Sequence, residues 1–249
     1  MQPEAALARP DVPDARETAL FLDVDGTLLA FAETPDAVVV GAALRTLLGD
    51  LHRACGGALA LVSGRSIAAL DGLFGPLELP AAGSHGLEIR TDGRIHELGI
   101  PLPDVAIDRM QALAATHAGS LFEHKRFGGA LHYRRAAEHR PALTTAMHGL
   151  AREVGSGFEL IEGNHVLELS AASGNKGSAI RFLSTRAPWR DRQPVFIGDD
   201  TTDEPGFEAV NAMGGLSIRV GQRPSTAARW QLDSIDAVQA WLRTLAGAN

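Results

Sequence analysis

In the segment Phe21-Leu22-Asp23-Val24-Asp25-Gly26-Thr27-Leu28, two carboxylates stand two residues apart directly after an apolar run. At the end of a strand this spacing sends both side chains the same way, and Gly26 lets the chain turn so that the following amides face a ligand. Carboxylates so close repel each other unless a proton or a cation intervenes, and a hard, oxygen-binding cation such as Mg2+ suits the pair. An Asp-Gly turn with solvated acids is the plain alternative. A second acidic run, Ile197-Gly198-Asp199-Asp200-Thr201-Thr202-Asp203-Glu204, also follows an apolar stretch. It adds Asp199, Asp200 and Asp203 to Asp23 and Asp25 as candidate metal-site residues. Asp200 and Glu204 are favoured as outer or solvated acids, because a Mg2+ site takes few carboxylates and keeps waters. Asp203 is also placed to N-cap a helix starting at Glu204-Pro205.

Two further clusters suit phosphate. Val62-Ser63-Gly64-Arg65 offers a hydroxyl and free amides where a strand gives way to a helix. Gly174-Asn175-Lys176-Gly177 puts a lysine at a helix start, where a cation opposes the helix dipole unless an anion neutralises it. Each alone is more often a loop than a site. Together they supply what phosphoryl transfer requires: a nucleophile, a metal, a positive side chain and a proton donor. Asp23 is the expected nucleophile, forming an aspartyl-phosphate, and Asp25 the expected acid and base.

The elements that must position these residues show two textures. Apolar runs at Thr18–Leu22, Ala58–Val62, Leu77–Ala82 and Pro194–Ile197 alternate with helix-period segments at Ala42–Cys55 and Ile67–Phe74, which predicts a parallel sheet covered by helices. Asp92-Gly93 marks a hairpin between Leu87–Arg90 and Arg94–Leu98. From 101 to 171 the order becomes helix (Val105–His117), strands (Leu121–Lys125, Ala130–Arg134), helix (Ala142–Val154), strands (Phe158–Ile161, Val166–Leu169). This predicts a small antiparallel sheet with two helices on one face. The α/β rhythm then resumes with Lys176–Arg186, Val195–Ile197, Glu204–Asn211 and Leu216–Val220, and closes on a helix over Ile235–Leu245. The expected organisation is a flexible tail over 1–16, a catalytic core over 17–100 and 172–249, and an α+β cap domain over 101–171.

Composition narrows the partners. In 249 residues, 23 basic and 30 acidic side chains leave a net charge of −7, without the basic face that nucleic-acid binding needs. With 45% hydrophobic residues the chain can fill a sizeable core. No stretch has the length of apolar residues that spans a membrane, and the start of the chain lacks the pattern of a signal peptide. The single cysteine, Cys55, excludes intrachain disulfides and sits among Leu51, Ala54 and Ala58 as a buried thiol would. A reducing, cytoplasmic location is expected, with no obligate protein partner evident. Of the basic residues only Lys125 and Lys176 are lysines.

The clusters at Asp23–Thr27, Ser63–Arg65, Lys176 and Gly198–Asp200 occur in the order seen in haloacid-dehalogenase-like (HAD) phosphatases. The insertion between the Ser63 and Lys176 motifs resembles the cap of the subclass whose cap follows the second motif. More closely, the chain resembles the bacterial trehalose-6-phosphate phosphatase family. Leu61-Val62-Ser63-Gly64-Arg65, Gly83-Ser84-His85-Gly86-Leu87-Glu88, Glu123-His124-Lys125, Leu131-His132-Tyr133-Arg134 and Gly198–Glu204 carry the resemblance, which runs from Thr18 to Leu245.

The resemblance implies a HAD-like core and Mg2+ held by the Asp23 carboxylate, the Asp25 carbonyl and Asp199. It also implies Thr27, Ser63 and Lys176 on the phosphate, and Gly64 and Arg65, in the same loop as Ser63, are expected as further phosphate-binding residues. Glu123, Lys125 and Glu168 would bind the sugar. By spacing alone that trio reads as a surface salt bridge. His132 and Arg134 fit either the same cap face or a packed histidine with a solvated arginine. Glu88 and His85 match family positions without a role that follows from chemistry.

The expected activity is hydrolysis of trehalose 6-phosphate. The alternatives are another sugar phosphate, such as sucrose phosphate or glucosylglycerol phosphate, or a non-catalytic sugar-phosphate-binding regulator. The regulator is disfavoured because a pure binder gains nothing from a nucleophile beside a proton donor.

Overall fold

The computed structural model describes residues 7–30, 39–222 and 225–247. In chain order the regular elements are β1 (Thr18–Leu22), α1 (Ala42–Ala54), β2 (Leu59–Val62), α2 (Ile67–Phe74), β3 (Ala81–Gly83), β4 (Glu88–Thr91) and β5 (Arg94–Glu97). Next come α3 (Asp104–Thr116), β6 (Leu121–Lys125), β7 (Gly128–His132), α4 (Arg140–Val154), β8 (Phe158–Gly163) and β9 (Val166–Ala171). The chain continues through α5 (Lys176–Ser184), β10 (Gln193–Gly198), α6 (Glu204–Ala212), β11 (Leu216–Val220), β12 (Trp230–Leu232) and α7 (Ile235–Leu245). Two compact units result: Met1–Glu97 with Asn175–Asn249, and Leu98–Gly174.

The first unit is built on one sheet in the order β12-β11-β10-β1-β2-β3-β4-β5, parallel from β12 to β3 and antiparallel beyond. Every residue of β1 and β2 is buried, as expected of parallel strands covered on both faces, and this is why both read as unbroken apolar runs. Helix α1 buries Leu44, Leu47, Leu48 and Leu51, one stripe at helical spacing, and α7 buries Val238, Trp241, Leu242 and Leu245 in the same way. Leu22 at the end of β1 pairs with Ile197 of β10 and Leu61 of β2. Asp23, Ser63 and Asp199 therefore emerge at the same carboxyl edge of three neighbouring parallel strands, where α/β sheets collect ligands.

Two expectations need correction here, and one strand is new. The strand read over Leu77–Ala82 is confined to Ala81–Gly83, because Pro76 and Pro80 supply no ladder N–H. Strand β12 was not anticipated; it is three residues long and carries Gln231. The segment from Leu7 to Arg16 is no free tail. Leu7, Val12 and Ala15 pack on the core, the Gln231 amide donates to the Ala8 carbonyl at 3.0 Å, and the Trp241 indole N–H donates to the Pro10 carbonyl at 3.2 Å. Residues 1–6 of that expected tail lie outside the described residues. Cys55 is buried, and burial pushes its thiol up to about 11, so it is an inert core group.

The second unit is an antiparallel sheet in the order β6-β7-β9-β8, with α3 against β6 and β7, α4 against β8 and β9, and the two helices touching. Strand β7 starts earlier than its expected span of Ala130–Arg134 because Gly128 and Gly129 join the ladder. A Cβ at Gly129 would lie 2.8 Å from the Phe122 ring and 3.1 Å from the Met110 sulfur, so this face is the one closed by α3. Cross-strand register puts Glu123 opposite Ala130 and Ala130 opposite Glu168, on the other face. Among the described residues, no helix is long and apolar enough to cross a membrane.

Candidate active site

Lys176 opens α5, whose N-terminus is fixed by a reciprocal cap between Asn175 and Ser178. The sequence places a cation at the positive end of a helix, and the structure supplies its counter-charges. The ammonium lies 2.6 Å from Asp23 Oδ1 and 2.6 Å from Asp203 Oδ1, with side-chain exposures of 4% for Lys176, 5% for Asp23 and 0% for Asp203. Burial works against the Lys176 charge, but the two carboxylates more than offset it and its pKa is raised. Thr27, fully buried, donates its hydroxyl to Asp23 Oδ2 at 3.0 Å and lies 3.4 Å from Asp199 Oδ1.

Asp203 holds this edge together. While Oδ1 meets Lys176, Oδ2 accepts the amides of Asp199 and Asp200, each at 2.9 Å. It does stand at the N-cap position of α6, but its side chain makes no capping bond there. Asp200 forms a reciprocal cap with Asp203 at the 3-10 turn Thr201–Asp203, and Glu204 accepts the Ala227 amide at 2.6 Å.

Ligand atoms of Asp23, Asp199 and Asp203 all lie within 4.8 Å of one another, and Asp200 is not in that group. Burial, opposed by Lys176 and reinforced by Asp203, lifts Asp23 to about 8, and burial with Asp203 lifts Asp199 to about 6. Gly26, at φ +86°, is what allows Asp199 to approach, since a Cβ there would lie 2.2 Å from Asp199 Oδ2. An all-oxygen set of mutually repelling carboxylates, two buried and one half-buried, fits a hard divalent cation.

This electrostatic arrangement predicts a pH dependence. A carboxyl whose native pKa is raised contributes stability below its ordinary value of 3.8 and loses it as pH rises through the native pKa. Without metal, the contribution of Asp23 and Asp199 therefore falls between about pH 4 and about pH 8, and a bound cation counters that loss. The rise in Tm on adding Mg2+ to chelator-treated protein is expected to be larger at about pH 8 than at about pH 5.5. Equal increments at the two pH values would contradict this account of the cluster.

Asp25 is gripped by Arg65, Nε to Oδ2 at 2.7 Å and Nη2 to Oδ1 at 2.8 Å. Arg65, expected to meet a phosphate, here orients the second aspartate by a two-pronged pair. Ser63 is buried, and its hydroxyl accepts the Arg65 amide at 3.1 Å.

In the second unit, Lys125 Nζ lies 2.6 Å from Glu168 Oε2, and His132 Nε2 lies 2.8 Å from Glu123 Oε2. Register places all four on the sheet face opposite α3. The hydrogen bond from His132, ahead of the Lys125 charge, holds the Glu123 carboxyl below its ordinary value despite partial burial. The pairing of His132 with Glu123 is the feature sequence reading left open, and strand alternation from Glu123 through its cross-strand neighbours was the signal available for it. Arg134 lies beyond the end of β7 and is exposed.

The family model described as Trehalose-phosphatase matches residues 21–236. The chain belongs to the trehalose-phosphatase family. Among curated members, it is 40% identical over 240 residues to the "Probable trehalose-phosphate phosphatase" of Sinorhizobium fredii, covering 95% of this chain and 90% of that one. It is 38% identical over 234 residues to the trehalose-6-phosphate phosphatase of Escherichia coli, covering 92% and 87%. A crystal structure of a trehalose-6-phosphate phosphatase related protein superposes with a TM-score of 0.77 at 26% identity, over 92% of this chain and 96% of that chain. A structure described as a phosphatase of the HAD superfamily shares this α/β fold, with a TM-score of 0.61 at 16% identity, and the carboxylates of Asp23, Asp199 and Asp203 are grouped as a metal ion would need.

Proposed function

We propose that this member of the trehalose-phosphatase family hydrolyses trehalose 6-phosphate to trehalose and inorganic phosphate, with Mg2+, through an aspartyl-phosphate. The buried Asp23–Lys176–Asp203 triad beside Asp199, in a chain of this family, carries the reading. Asp23, held at both oxygens by Lys176 and Thr27, attacks phosphorus as the bond to the sugar oxygen breaks. Asp25 gives a proton to that leaving oxygen, then takes one from the water that cleaves the aspartyl-phosphate, regenerating Asp23 and releasing phosphate. Lys176, Thr27 and Ser63, with the backbone of Gly64, stabilise the charge on the transferring oxygens. Mg2+, when bound by the Asp23 carboxylate, the Asp25 carbonyl and Asp199, supplies charge neutralisation at the phosphoryl group. Both Asp203 oxygens are already engaged by Lys176 and two amides, which supports an anchoring role for Asp203 rather than ligation. A cytoplasmic location is part of the proposal, resting on the lone buried thiol.

Phosphate release from trehalose 6-phosphate, with and without a chelator, tests the reading. Turnover that stops on chelation and returns with Mg2+ is expected; chelator-insensitive turnover, or none at all, rejects it.

Glu123, Lys125 and Glu168 are proposed to read sugar hydroxyls, with His132 holding Glu123. Glu123→Ala and Lys125→Ala are expected to lower kcat/KM on trehalose 6-phosphate by about 1–3 kcal/mol of transition-state binding, or roughly 5- to 150-fold. On an aryl phosphate their effect should stay within about threefold. Equal losses on the two substrates would remove these residues from sugar recognition, and a panel including sucrose phosphate and glucosylglycerol phosphate ranks the rival substrates.

A further inference from the structure

The string Gly83-Ser84-His85-Gly86-Leu87-Glu88 has no part in the reaction described so far. Glu88, first in β4, is 5% exposed, and one of its two carboxylate oxygens, Oε1, accepts two hydrogen bonds at 2.9 Å, from the Ile67 amide and from the Ser84 hydroxyl. Ile67 opens α2, two residues beyond Arg65. Ser84 starts a 3-10 turn, Ser84–Gly86, in which Ser84 and His85 have φ of 50° and 57°. Two successive non-glycine residues in the left-handed region persist only where the surroundings hold them there.

The turn in its place holds the Ser63 loop. The Ser84 amide donates to the Arg65 carbonyl at 2.8 Å and the His85 amide to the Ser63 carbonyl at 3.0 Å. The His85 ring lies so close to Gly64 that a Cβ there would be 2.6 Å from Cε1. On its other side the turn abuts the start of α5: a Cβ at Gly86 would lie 2.7 Å from the carbonyl of Asn175, the residue before Lys176.

We propose that Glu88 is a positioning residue for phosphoryl transfer. Its buried carboxylate locks the Ser84–His85 turn, and the turn sets the Ser63-Gly64-Arg65 loop against the start of the Lys176 helix. The role rests on the phosphatase reading above. A side chain that merely stabilised the fold would act on Tm and on the yield of folded protein. One that positions the loop acts on kcat of the folded molecules. Because both bonds fall on one oxygen, a carboxamide oxygen in the same place keeps them, whereas alanine removes both.

The test compares the full-length wild type with Glu88→Gln, Glu88→Ala and Ser84→Ala. It measures kcat and KM per folded molecule on trehalose 6-phosphate and p-nitrophenyl phosphate, Tm, and amide hydrogen exchange at Ser84 and His85. Glu88→Ala is expected to lower kcat about 10- to 100-fold on both substrates, the scale of a misplaced reacting group, with faster exchange at both amides. Glu88→Gln should restore kcat and slow exchange to within about threefold of wild type, and Ser84→Ala should fall between. A folded Glu88→Ala with wild-type kcat and only a lower Tm overturns the role, as does Glu88→Gln as impaired as Glu88→Ala. If Glu88→Ala does not fold, Ser84→Ala decides: wild-type kcat and exchange there also overturn it. A wild type inactive on both substrates overturns the phosphatase reading and this role with it, whereas an active wild type with insensitive variants overturns this role alone.

Discussion

Asp23→Asn is expected to lose turnover by at least about 10⁴-fold while the chain remains folded, since loss of a covalent nucleophile removes the reaction path and not merely one contact. The local hydrogen bonds explain why the fold should survive. Asn can turn its carbonyl to the Lys176 ammonium and its amide to the Thr27 hydroxyl, which can rotate to accept. One negative charge also leaves a site where Asp199 and Asp203 already repel it. Tm within a few degrees of wild type, with no phosphate released in single-turnover assays, is the expected pair of results. Retained turnover would end the nucleophile assignment.

Lys176→Met combines the second large effect on activity with the largest on stability. It removes the ammonium that Asp23 and Asp203 share and leaves both carboxylates buried without it. Breaking a buried pair by deleting one partner costs about 3–5 kcal/mol, which for a chain of this size lowers Tm by roughly 6–20 °C near neutral pH. Turnover should fall about 10²–10³-fold, as when one preorganised charge-stabilising group is lost. Thermal unfolding at acidic and neutral pH separates the causes, because protonated carboxyls do not need the cation and the stability loss should shrink as pH falls. Lys176→Arg should restore the charge and leave turnover impaired: contacts of 2.6 Å on two sides of the ammonium, on a side chain only 4% exposed, suit a compact group and not a planar fork. A fully active Lys176→Arg would show that fit is not what keeps a lysine there.

How far the sequence could be read follows from how local each feature is. Strand β1 and its acidic tail are legible because a doubly covered parallel strand must be apolar throughout and must end where its ligand groups begin. The pairing of Lys176 with Asp23, 153 residues away, could be inferred only as a need for some anion at a helix start. The short strand β12 and the packed segment from Leu7 to Arg16 gave no periodic signal, since each is stabilised by the other's neighbourhood: the Ala8 carbonyl takes the Gln231 amide. Asp203 reads as a candidate metal-site residue and, because Glu204-Pro205 follows it, as a cap; only the tertiary structure shows its oxygens turned to Lys176 and two amides. Arg65 likewise reads as a phosphate-binding residue, and the pairing of its guanidinium with Asp25, 40 residues away, shows only in the tertiary structure. Glu88 stood in a recognisable string, yet its meaning depends on a turn and a helix start that no local pattern connects.

The contrast between the two lysines has a practical consequence for chemical modification. Besides any terminal amine, the chain carries two primary amines; the Lys125 side chain is 32% exposed on the second unit's sheet, its amine beside Glu168, and the amine of Lys176 is sealed and kept protonated by two carboxylates. Acylating reagents attack the unprotonated, accessible amine, so they discriminate between these two sites without any engineering. A reporter group or an acetyl cap can thus be directed to Lys125 in the native protein, leaving the ammonium among the aspartates untouched.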